Sequence, residues 1–320
     1  MLPNFICLGA QKCGTTTIWH MLNAHPSICM AQPRETRFFY DDLRFAEGLQ
    51  QYEIQHFSHW AGEAAVGEKC PEYLYVPEVA HRIYDTLGPT IKFIVALRSP
   101  AQRAFSHYRH NLTMLRESRT FDDVLEAEHR QIQNGERVRE PYGYLPRGYY
   151  AQQLKRYFDL FDQDQFLMIN FEREIVNDQK KLCDRLFDFL CVKRFYAKEM
   201  PFKAGHPRLE NLSIRINQKG EDAQQHFVEI ERASYKIGRL HKLKRFLTKR
   251  IHVTRYKTSR RIYHPSESLI RFAHAFRENK PAATRLSRTE ELQLNRRYFR
   301  QDIEQLSPFM PSVVTQWLEE

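Results

Sequence analysis

Short apolar runs alternate along the chain with longer segments whose apolar residues recur at helical spacing. The runs over residues 5–9, 91–97 and 166–171 are rich in β-branched and aromatic residues and are bounded by turn signals, which is typical of buried strands. The segments 77–87 and 178–190 carry their apolar residues on one face, which predicts amphipathic helices. Because strands and helices alternate, we expect an α/β fold with a mainly parallel sheet and right-handed crossovers.

The first strand leads into a loop with the chemistry of an anion site. Residues 10–14 form a short polar loop after Gly9, and three threonines then open a helix. Backbone N–H groups and a helix N-terminus converge there, and the helix dipole favours negative charge. Nucleoside triphosphate loops read G-x-x-x-x-G-K-[ST], whereas here Thr15 takes the place of the lysine and Lys12 lies earlier. We therefore expect a phosphate-like group without a nucleoside triphosphate; the alternative is a glycine-rich turn with a surface lysine.

A second polar cluster follows the strand at 91–97. That strand ends in Arg98, and a helix is predicted to start with Ser99 as its N-cap and Pro100 at its first position. Arg98 offers a planar fork to a phosphate, and Ser106, two turns into the helix, adds a hydroxyl donor. The alternatives are a capping or surface arginine and a solvated helix serine.

The positive charge of the chain is concentrated in one stretch. The formal net charge is +10, and residues 239–261 carry ten Lys or Arg and no Asp or Glu. We expect residues 209–280 to be a helical or partly disordered insertion. The basic stretch has three interpretations, in order of preference: a solvated helical face, a surface for an acidic acceptor such as a polysaccharide, and contacts with nucleic acid or anionic lipid. Phe246 and Tyr256 are too few aromatic residues for a base-stacking platform, so no nucleic-acid partner is expected.

The spacing of the cysteines and the hydropathy of the chain indicate the cellular compartment in which the protein is expected. Six cysteines are scattered without C-x-x-C spacing, so neither a metal site nor a disulfide framework is expected. Cys13 lies in the anion loop, where a helix N-terminus can lower a thiol pKa; a reactive thiol and a small residue that fills the loop are the two interpretations. No apolar run approaches the ~18–20 residues that span a bilayer, and no signal peptide is recognisable. A cytoplasmic protein with reduced thiols and no transmembrane segment is the expectation.

Four motifs with polar residues follow one another along the chain. GAQKCGTTT follows the first strand, RETRFF the second and GEKCPEYL the third, while IVALRSPAQRAFSHY spans a strand, a loop and a helix. This set resembles the sulfotransferases that use 3′-phosphoadenosine 5′-phosphosulfate (PAPS), most of all the bacterial and heparan-sulfate-type branch, in which a glutamate follows the second strand. The resemblance covers residues 5 to about 208 and 285 to 317. It implies a P-loop-like three-layer α/β/α fold, in a single domain over residues 1–320 with the insertion at 209–280.

The resemblance assigns roles to the matching residues. The first loop would bind the 5′-phosphosulfate through Lys12, Cys13, Gly14, Thr15, Thr16 and Thr17. Arg98 and Ser106 would bind the 3′-phosphate, and Gly205 and Arg208 lie in a loop that touches the same phosphate in related enzymes. Glu35 matches the general base that takes the proton of an acceptor hydroxyl, and Lys69 matches a lysine near the acceptor. Lys12 would neutralise charge on the leaving phosphate, so that no metal is required.

The motif around Glu35 departs from the family pattern. Lys-Glu-x-His-Phe-Phe is usual, whereas this chain has Arg34 and Arg37 in place of the lysine and the histidine. Surface ion pairs, of Arg34 with Glu35 and of Glu68 with Lys69, are the alternatives to the catalytic roles.

The predicted function is transfer of a sulfuryl group from PAPS to a hydroxyl, with release of adenosine 3′,5′-bisphosphate. A carbohydrate or small-molecule alcohol is favoured as acceptor, and a secondary-metabolite alcohol, a lipid or a peptide also offers a hydroxyl. A histidine base, which enzymes acting on phenols and steroids use, stays open, although His25, His107 and His110 show no partner pattern. Two other functions remain alternatives. One is a P-loop kinase or NTPase, which needs a lysine after Gly14, and the other is a non-catalytic module that docks on acidic polymers.

Overall fold

The computed structural model describes most of the chain, namely residues 1–138, 142–196, 212–217, 227–237, 253–263, 267–279 and 285–319. The chain divides into two compact units. The first comprises Met1–His107, Gly143–Ala204 and Arg285–Glu320, and the second comprises Tyr108–Tyr142 and Gly205–Thr284. The single-domain organisation expected from the sequence stays a prediction.

A five-stranded parallel sheet forms the centre of the first unit. Its strands lie in the order β2-β3-β1-β4-β5. Their bounds are β1 Phe5–Gly9, β2 Ile28–Met30, β3 Ala65–Lys69, β4 Lys92–Leu97 and β5 Phe166–Asn170. Every residue of β1 and β3 is buried, which means that both faces of the sheet are covered, as in α/β folds. The predicted P-loop-like α/β fold with a parallel sheet is confirmed.

Close approach of β1 and β3 depends on one glycine. Gly67 lies opposite Phe5 in the register of the two strands. A Cβ at Gly67 would lie 2.2 Å from the Phe5 ring, so any side chain there would displace that ring. The register in turn sets the end of β3, and therefore the position of Lys69, relative to the anion loop that follows β1.

Helices connect the strands and continue after the sheet. Their bounds are α1 Thr15–Asn23, α2 Asp42–Ala46, α3 Gly48–Phe57, α4 Val79–Leu87, α5 Pro100–Thr113, α6 Phe121–Gln133, α7 Tyr150–Phe158, α8 Gln179–Phe189, α9 Glu267–Asn279, α10 Arg288–Leu294, α11 Arg300–Gln305 and α12 Ser312–Leu318. The predicted start of α5 at Pro100 is confirmed. No helix in the described part of the chain is both long enough and apolar enough to cross a membrane.

The second unit corrects the expectation of a helical or partly disordered insertion. Three strands, β6 Leu212–Asn217, β7 Phe227–Ile237 and β8 Val253–Tyr263, form an antiparallel sheet in the order β6-β7-β8. Among the described residues of 209–280, the expected helical structure is found in α9. The charges suggested a solvated helix, but β8 also has β-branched and aromatic residues, and pairing with β7 along its whole length favours a strand. The part of the basic stretch in β8 is therefore not a helical face, and residues 239–252 lie outside the described residues.

Candidate active site

The polar motifs meet at one edge of the parallel sheet. The anion loop follows β1, the segment with Glu35 follows β2, Lys69 ends β3, and Arg98 follows β4. Parallel strands end at a common edge, and open α/β sheets bind their ligands in the crevice outside it. The fold therefore gathers into one region residues that are far apart in the sequence.

The loop between β1 and α1 has the backbone of a tight anion cradle. Gly14 directly precedes α1 with a φ of 82°, in the left-handed region that favours glycine. A Cβ at Gly14 would lie 2.8 Å from Ile175 Cδ1 and 3.0 Å from the Phe171 ring, so only glycine fits. Lys12 also has a positive φ, 68°, and strained backbone of this kind clusters at functional sites.

The N–H groups of this loop divide into two sets. The N–H of Cys13 donates to Ala10 O at 3.2 Å, and that of Thr17 donates to Gly14 O at 2.9 Å, so both are used inside the loop. The first N–H groups of a helix have no partner within the helix, so those at the start of α1 can donate to a ligand. The backbone N–H of Thr17 is therefore not available to a ligand, whereas its hydroxyl is a separate donor.

Cys13 is a buried residue of the anion loop. Its Sγ lies 3.6 Å from the Tyr150 hydroxyl and 3.6 Å from Gln11 O, and the side chain is fully buried. Burial raises the pKa of this thiol to about 11, which outweighs the opposite effects of Tyr150, Arg103 and Arg98. Of the two interpretations of Cys13, the structure favours the small residue that fills the loop.

Arg98 is a mostly buried cation with unused hydrogen-bonding capacity. Its side chain is 11% exposed, and its guanidinium stacks over the Phe171 ring at 4.7 Å. The nearest carboxylate, Glu172, is 3.9 Å from Arg98 Nε, and this buried Nε donates no hydrogen bond within the described residues. Burial lowers the pKa of Arg98 and raises that of Glu172, because each charge has lost water, and their mutual attraction opposes both shifts. A buried N–H without a partner is uncommon, and this one leaves Arg98 able to donate to an anion.

The segment that carries Arg98 is held by side chains that the sequence did not single out. Glu172 accepts the N–H of Ser99 at 3.1 Å, and the Tyr150 hydroxyl donates to Arg98 O at 3.0 Å. Asn295, nearly 200 residues away in the chain, donates to Ser99 Oγ at 3.0 Å. The sequence does contain a signal for Glu172, because this residue follows strand β5 and therefore lies at the same sheet edge. No comparable sequence signal marks Asn295.

Glu35 and Lys69 form an ion pair at this edge. Lys69 Nζ donates to Glu35 Oε1; the Lys69 side chain is 1% exposed and that of Glu35 is 32% exposed. Glu68 is also fully buried, so neither Glu35 nor Lys69 belongs to the surface pairs considered above. Arg34 instead places its guanidinium over the Trp19 ring at 5.7 Å. The pair places the partly exposed carboxylate of Glu35 at the sheet edge, beside the buried Lys69.

The histidines considered as bases have different surroundings. His25 uses both ring nitrogens, since Nδ1 accepts the N–H of Ser27 at 3.0 Å and Nε2 bonds Lys193 O at 2.7 Å, so it is structural. His107 is buried against the Tyr144 ring. His20, which the sequence reasoning missed, lies on α1, and its pKa is lowered by burial and by the charges of Arg34 and Lys69.

The remaining predicted site residues differ in whether the structure describes them. Ser106 is half-buried on α5, two turns from its start, on the helix that leaves the strand end bearing Arg98. Gly205 and Arg208 lie outside the described residues. No group of three or more His, Cys, Asp or Glu side chains within the described residues is arranged to hold a metal ion.

Comparison with known proteins shows the family. Residues 2–204 match the model of the sulfotransferase domain. A sulfotransferase of known structure from Alicyclobacillus acidocaldarius is 30% identical with a TM-score of 0.54, over 64% of this chain and 87% of that one. Heparan sulfate glucosamine 3-O-sulfotransferase 5 of Mus musculus is 30% identical over 189 residues, which are 57% of this chain and 51% of the relative.

A further relative shares a similar part of this chain. The human bifunctional heparan sulfate N-deacetylase/N-sulfotransferase 2 is 29% identical over 63% of this chain and 23% of its own length. The chain thus spans about half or less of the length of these curated relatives. It belongs to the sulfotransferase domain family, and the two curated relatives described here are named as heparan sulfate sulfotransferases.

Proposed function

We propose that this protein transfers a sulfuryl group from PAPS to an acceptor hydroxyl and releases adenosine 3′,5′-bisphosphate. One observation carries the proposal: two groups suited to binding anions lie at a single sheet edge, the loop at 10–14 with the start of α1 and the buried Arg98. A ligand with two anionic ends would engage both. A nucleoside triphosphate has a single anionic end, and the loop lacks the lysine after Gly14 that would grip it.

The residues present suit such a donor. Arg98 would bind the 3′-phosphate through its guanidinium, whose buried Nε has no hydrogen-bond partner within the described residues, and Ser106 would add a hydroxyl. The loop would hold the phosphosulfate with Lys12, the hydroxyls of Thr16 and Thr17, and the N–H groups at the start of α1. When bound, the donor supplies an electrophilic sulfuryl group beside the acceptor.

Charge and proton transfer would be divided between two sets of residues. Lys12, together with the helix dipole, would stabilise the charge that grows on the phosphate side as the sulfuryl group leaves. Glu35 would take the proton of the acceptor hydroxyl, a task that suits a partly exposed carboxylate held beside Lys69. The oxygen–sulfur bond to the acceptor forms as the sulfur–oxygen bond to the phosphate breaks.

The acceptor proposed is a carbohydrate hydroxyl. A carbohydrate is supported by the names of two relatives, which are described as acting on heparan sulfate or its glucosamine. A hydroxyl is supported by the 3-O-sulfotransferase alone, since the other relative is named as an N-sulfotransferase. A screen with labelled donor against oligosaccharides, small alcohols, lipids and tyrosine peptides tests it. Label transfer to an oligosaccharide is the expected result, and transfer only to one of the other acceptors would contradict it.

Calorimetry tests the donor site. Adenosine 3′,5′-bisphosphate should bind, and Arg98→Ala should weaken it about 10–100-fold, because a charge-assisted hydrogen bond contributes about 1.5–3 kcal/mol. Arg194→Ala is the matched control, since its exposed guanidinium pairs only on the surface with Asp184 and Asp188. Equal binding of ATP, or no loss in Arg98→Ala, would contradict the proposal.

Turnover of a variant tests the base. Glu35→Gln keeps the size of the side chain and removes its basicity, so the kcat should fall about 10²–10⁴-fold while adenosine 3′,5′-bisphosphate binds as before. Glu53→Gln changes an exposed carboxylate elsewhere and is the control. Retained turnover in Glu35→Gln would place the base on another residue, for which His20 is the first candidate.

A further inference from the structure

A buried carboxyl group beside the catalytic pair has no role in the proposed chemistry. Glu68, in strand β3, is 0% exposed. It accepts hydrogen bonds from the hydroxyls of Tyr52 at 2.7 Å and of Tyr73 at 3.2 Å, and from that of Thr36. Three hydroxyl groups from three segments of the chain therefore converge on one carboxyl.

The bond from Thr36 has a particular place. Thr36 follows Glu35 directly, and Glu68 directly precedes Lys69. Two consecutive residues of the loop thus contact two consecutive residues of the strand, Glu35 with Lys69 and Thr36 with Glu68. Neighbouring side chains of a strand point to opposite faces, so a shift of the loop by one residue would break both contacts.

The same hydroxyls hold the backbone of the loop. The N–H of Phe38 donates to Thr36 Oγ1 at 3.2 Å, and the N–H of Phe39 donates to the Tyr73 hydroxyl at 3.2 Å. The Thr36 hydroxyl also lies 3.0 Å from that of Tyr73. Because Phe38 and Phe39 are themselves buried, the loop is anchored immediately after Glu35 by both packing and hydrogen bonds.

A buried polar cluster of this kind stabilises a fold less than apolar packing of the same space would. Burying a carboxyl group costs several kcal/mol before its hydrogen bonds are counted, and apolar residues of similar size would fill the same space at lower cost. What the polar cluster adds is direction, since each hydrogen bond fixes one group relative to another. The group fixed here is the residue next to Glu35.

We propose that the hydrogen bond from Thr36 to Glu68 is a positioning contact that sets the Glu35 carboxylate against Lys69. Thr36 and Glu68 are positioning residues, since neither contacts a reacting atom. The kinetic consequence rests on the proposed function, because it assumes that Glu35 is the base. The geometric consequence does not, so it is measured separately.

Three variants separate positioning from folding. Thr36→Val replaces the hydroxyl by a methyl of similar size, and Thr36→Ser restores the hydroxyl. Tyr52→Phe removes one hydroxyl from the same carboxyl, but that side chain comes from α3 and not from the loop bearing Glu35. If the proposal is correct, Thr36→Val lowers the kcat about 10–100-fold with the affinity for adenosine 3′,5′-bisphosphate within about twofold, as for a misplaced catalytic group. Thr36→Ser recovers most of the kcat, and Tyr52→Phe keeps it.

A zero-length carbodiimide crosslink between Glu35 and Lys69, detected by peptide mass spectrometry, reports the geometry without turnover. The yield should fall severalfold in Thr36→Val, return in Thr36→Ser and persist in Tyr52→Phe. An undiminished crosslink in folded Thr36→Val would overturn the inference, as would equal losses in Thr36→Val and Tyr52→Phe. If the crosslink behaves as expected but the unsubstituted protein transfers no sulfuryl group, the positioning contact stands and the proposed function fails.

Discussion

Replacement of Asn295 by alanine tests how the C-terminal helices hold the segment that carries Arg98. Asn295 is 0% exposed. Its Oδ1 accepts the N–H of Ala101 at 3.0 Å, and its Nδ2 donates to Ser99 Oγ at 3.0 Å and to Trp317 O at 2.9 Å. The N–H of Ala101 belongs to the first turn of α5, where no partner within the helix exists.

The magnitude follows from the groups left behind. Asn295→Ala strands the N–H of Ala101 and the carbonyl of Trp317, both in buried residues, whereas the Ser99 hydroxyl can rotate to another partner. Each stranded buried group costs about 1–3 kcal/mol. We therefore expect a loss of about 3 kcal/mol, a large share of the roughly 5–15 kcal/mol that stabilises a protein.

Urea unfolding followed by tryptophan fluorescence measures this loss, and calorimetry measures binding to the Arg98 site in the same variant. Asn134→Ala is the control, because Asn134 is exposed and such substitutions usually change stability by less than about 0.5 kcal/mol. Adenosine 3′,5′-bisphosphate should bind Asn295→Ala more weakly, since the segment between β4 and α5 has lost its anchor. A loss below about 1 kcal/mol with unchanged affinity would refute this account of Asn295.

Other predictions concern titratable side chains, two of them buried carboxyl groups and one an exposed thiol. Burial raises the pKa of Glu68 from 4.5 to about 7, so its contribution to stability is complete below about pH 4.5 and is lost as pH rises through 7. The loss is on the order of 3 kcal/mol. Glu68→Gln should remove this pH dependence, which thermal unfolding from pH 4.5 to 8 measures. Asp302 accepts the N–H groups of Ala151 and Gln152 at 3.0 and 3.1 Å at the start of α7, and Asp302→Ala should cost about 1–2 kcal/mol in urea unfolding. Ellman's reagent should modify one thiol rapidly in the native protein, that of the exposed Cys191.

Each of these outcomes has a result that would contradict it. A pH dependence that persists in Glu68→Gln would mean that another group titrates. Asp302→Asn keeps one acceptor oxygen and is the matched control, so equal destabilisation by Asp302→Asn and Asp302→Ala would argue against the capping role. Rapid modification that survives Cys191→Ser would show that a second thiol is accessible.

The sequence predicts the parts of the site that depend on neighbouring residues. The strand, loop and helix around Gly14 follow from local propensities and from the left-handed conformation that only glycine adopts easily. The strand ending in Arg98 and the helix starting at Pro100 are likewise local, and the structure has them at the predicted residues. Charge content misled the prediction for β8, because pairing with β7 is a long-range effect that a helical pattern of basic residues does not reveal.

What only the tertiary structure decides is which distant groups meet. The ion pair of Glu35 with Lys69 and the hydrogen bond of Thr36 with Glu68 both require β2 and β3 to be neighbours in the sheet. Asn295 reaches Ser99 across 196 positions of the chain. Local composition determines the elements and the chemistry that each strand end carries, because propensities and turn conformations act over a few residues. The order of the strands and the burial of polar side chains depend on packing the whole chain, and these set the partner and the charge of each functional group.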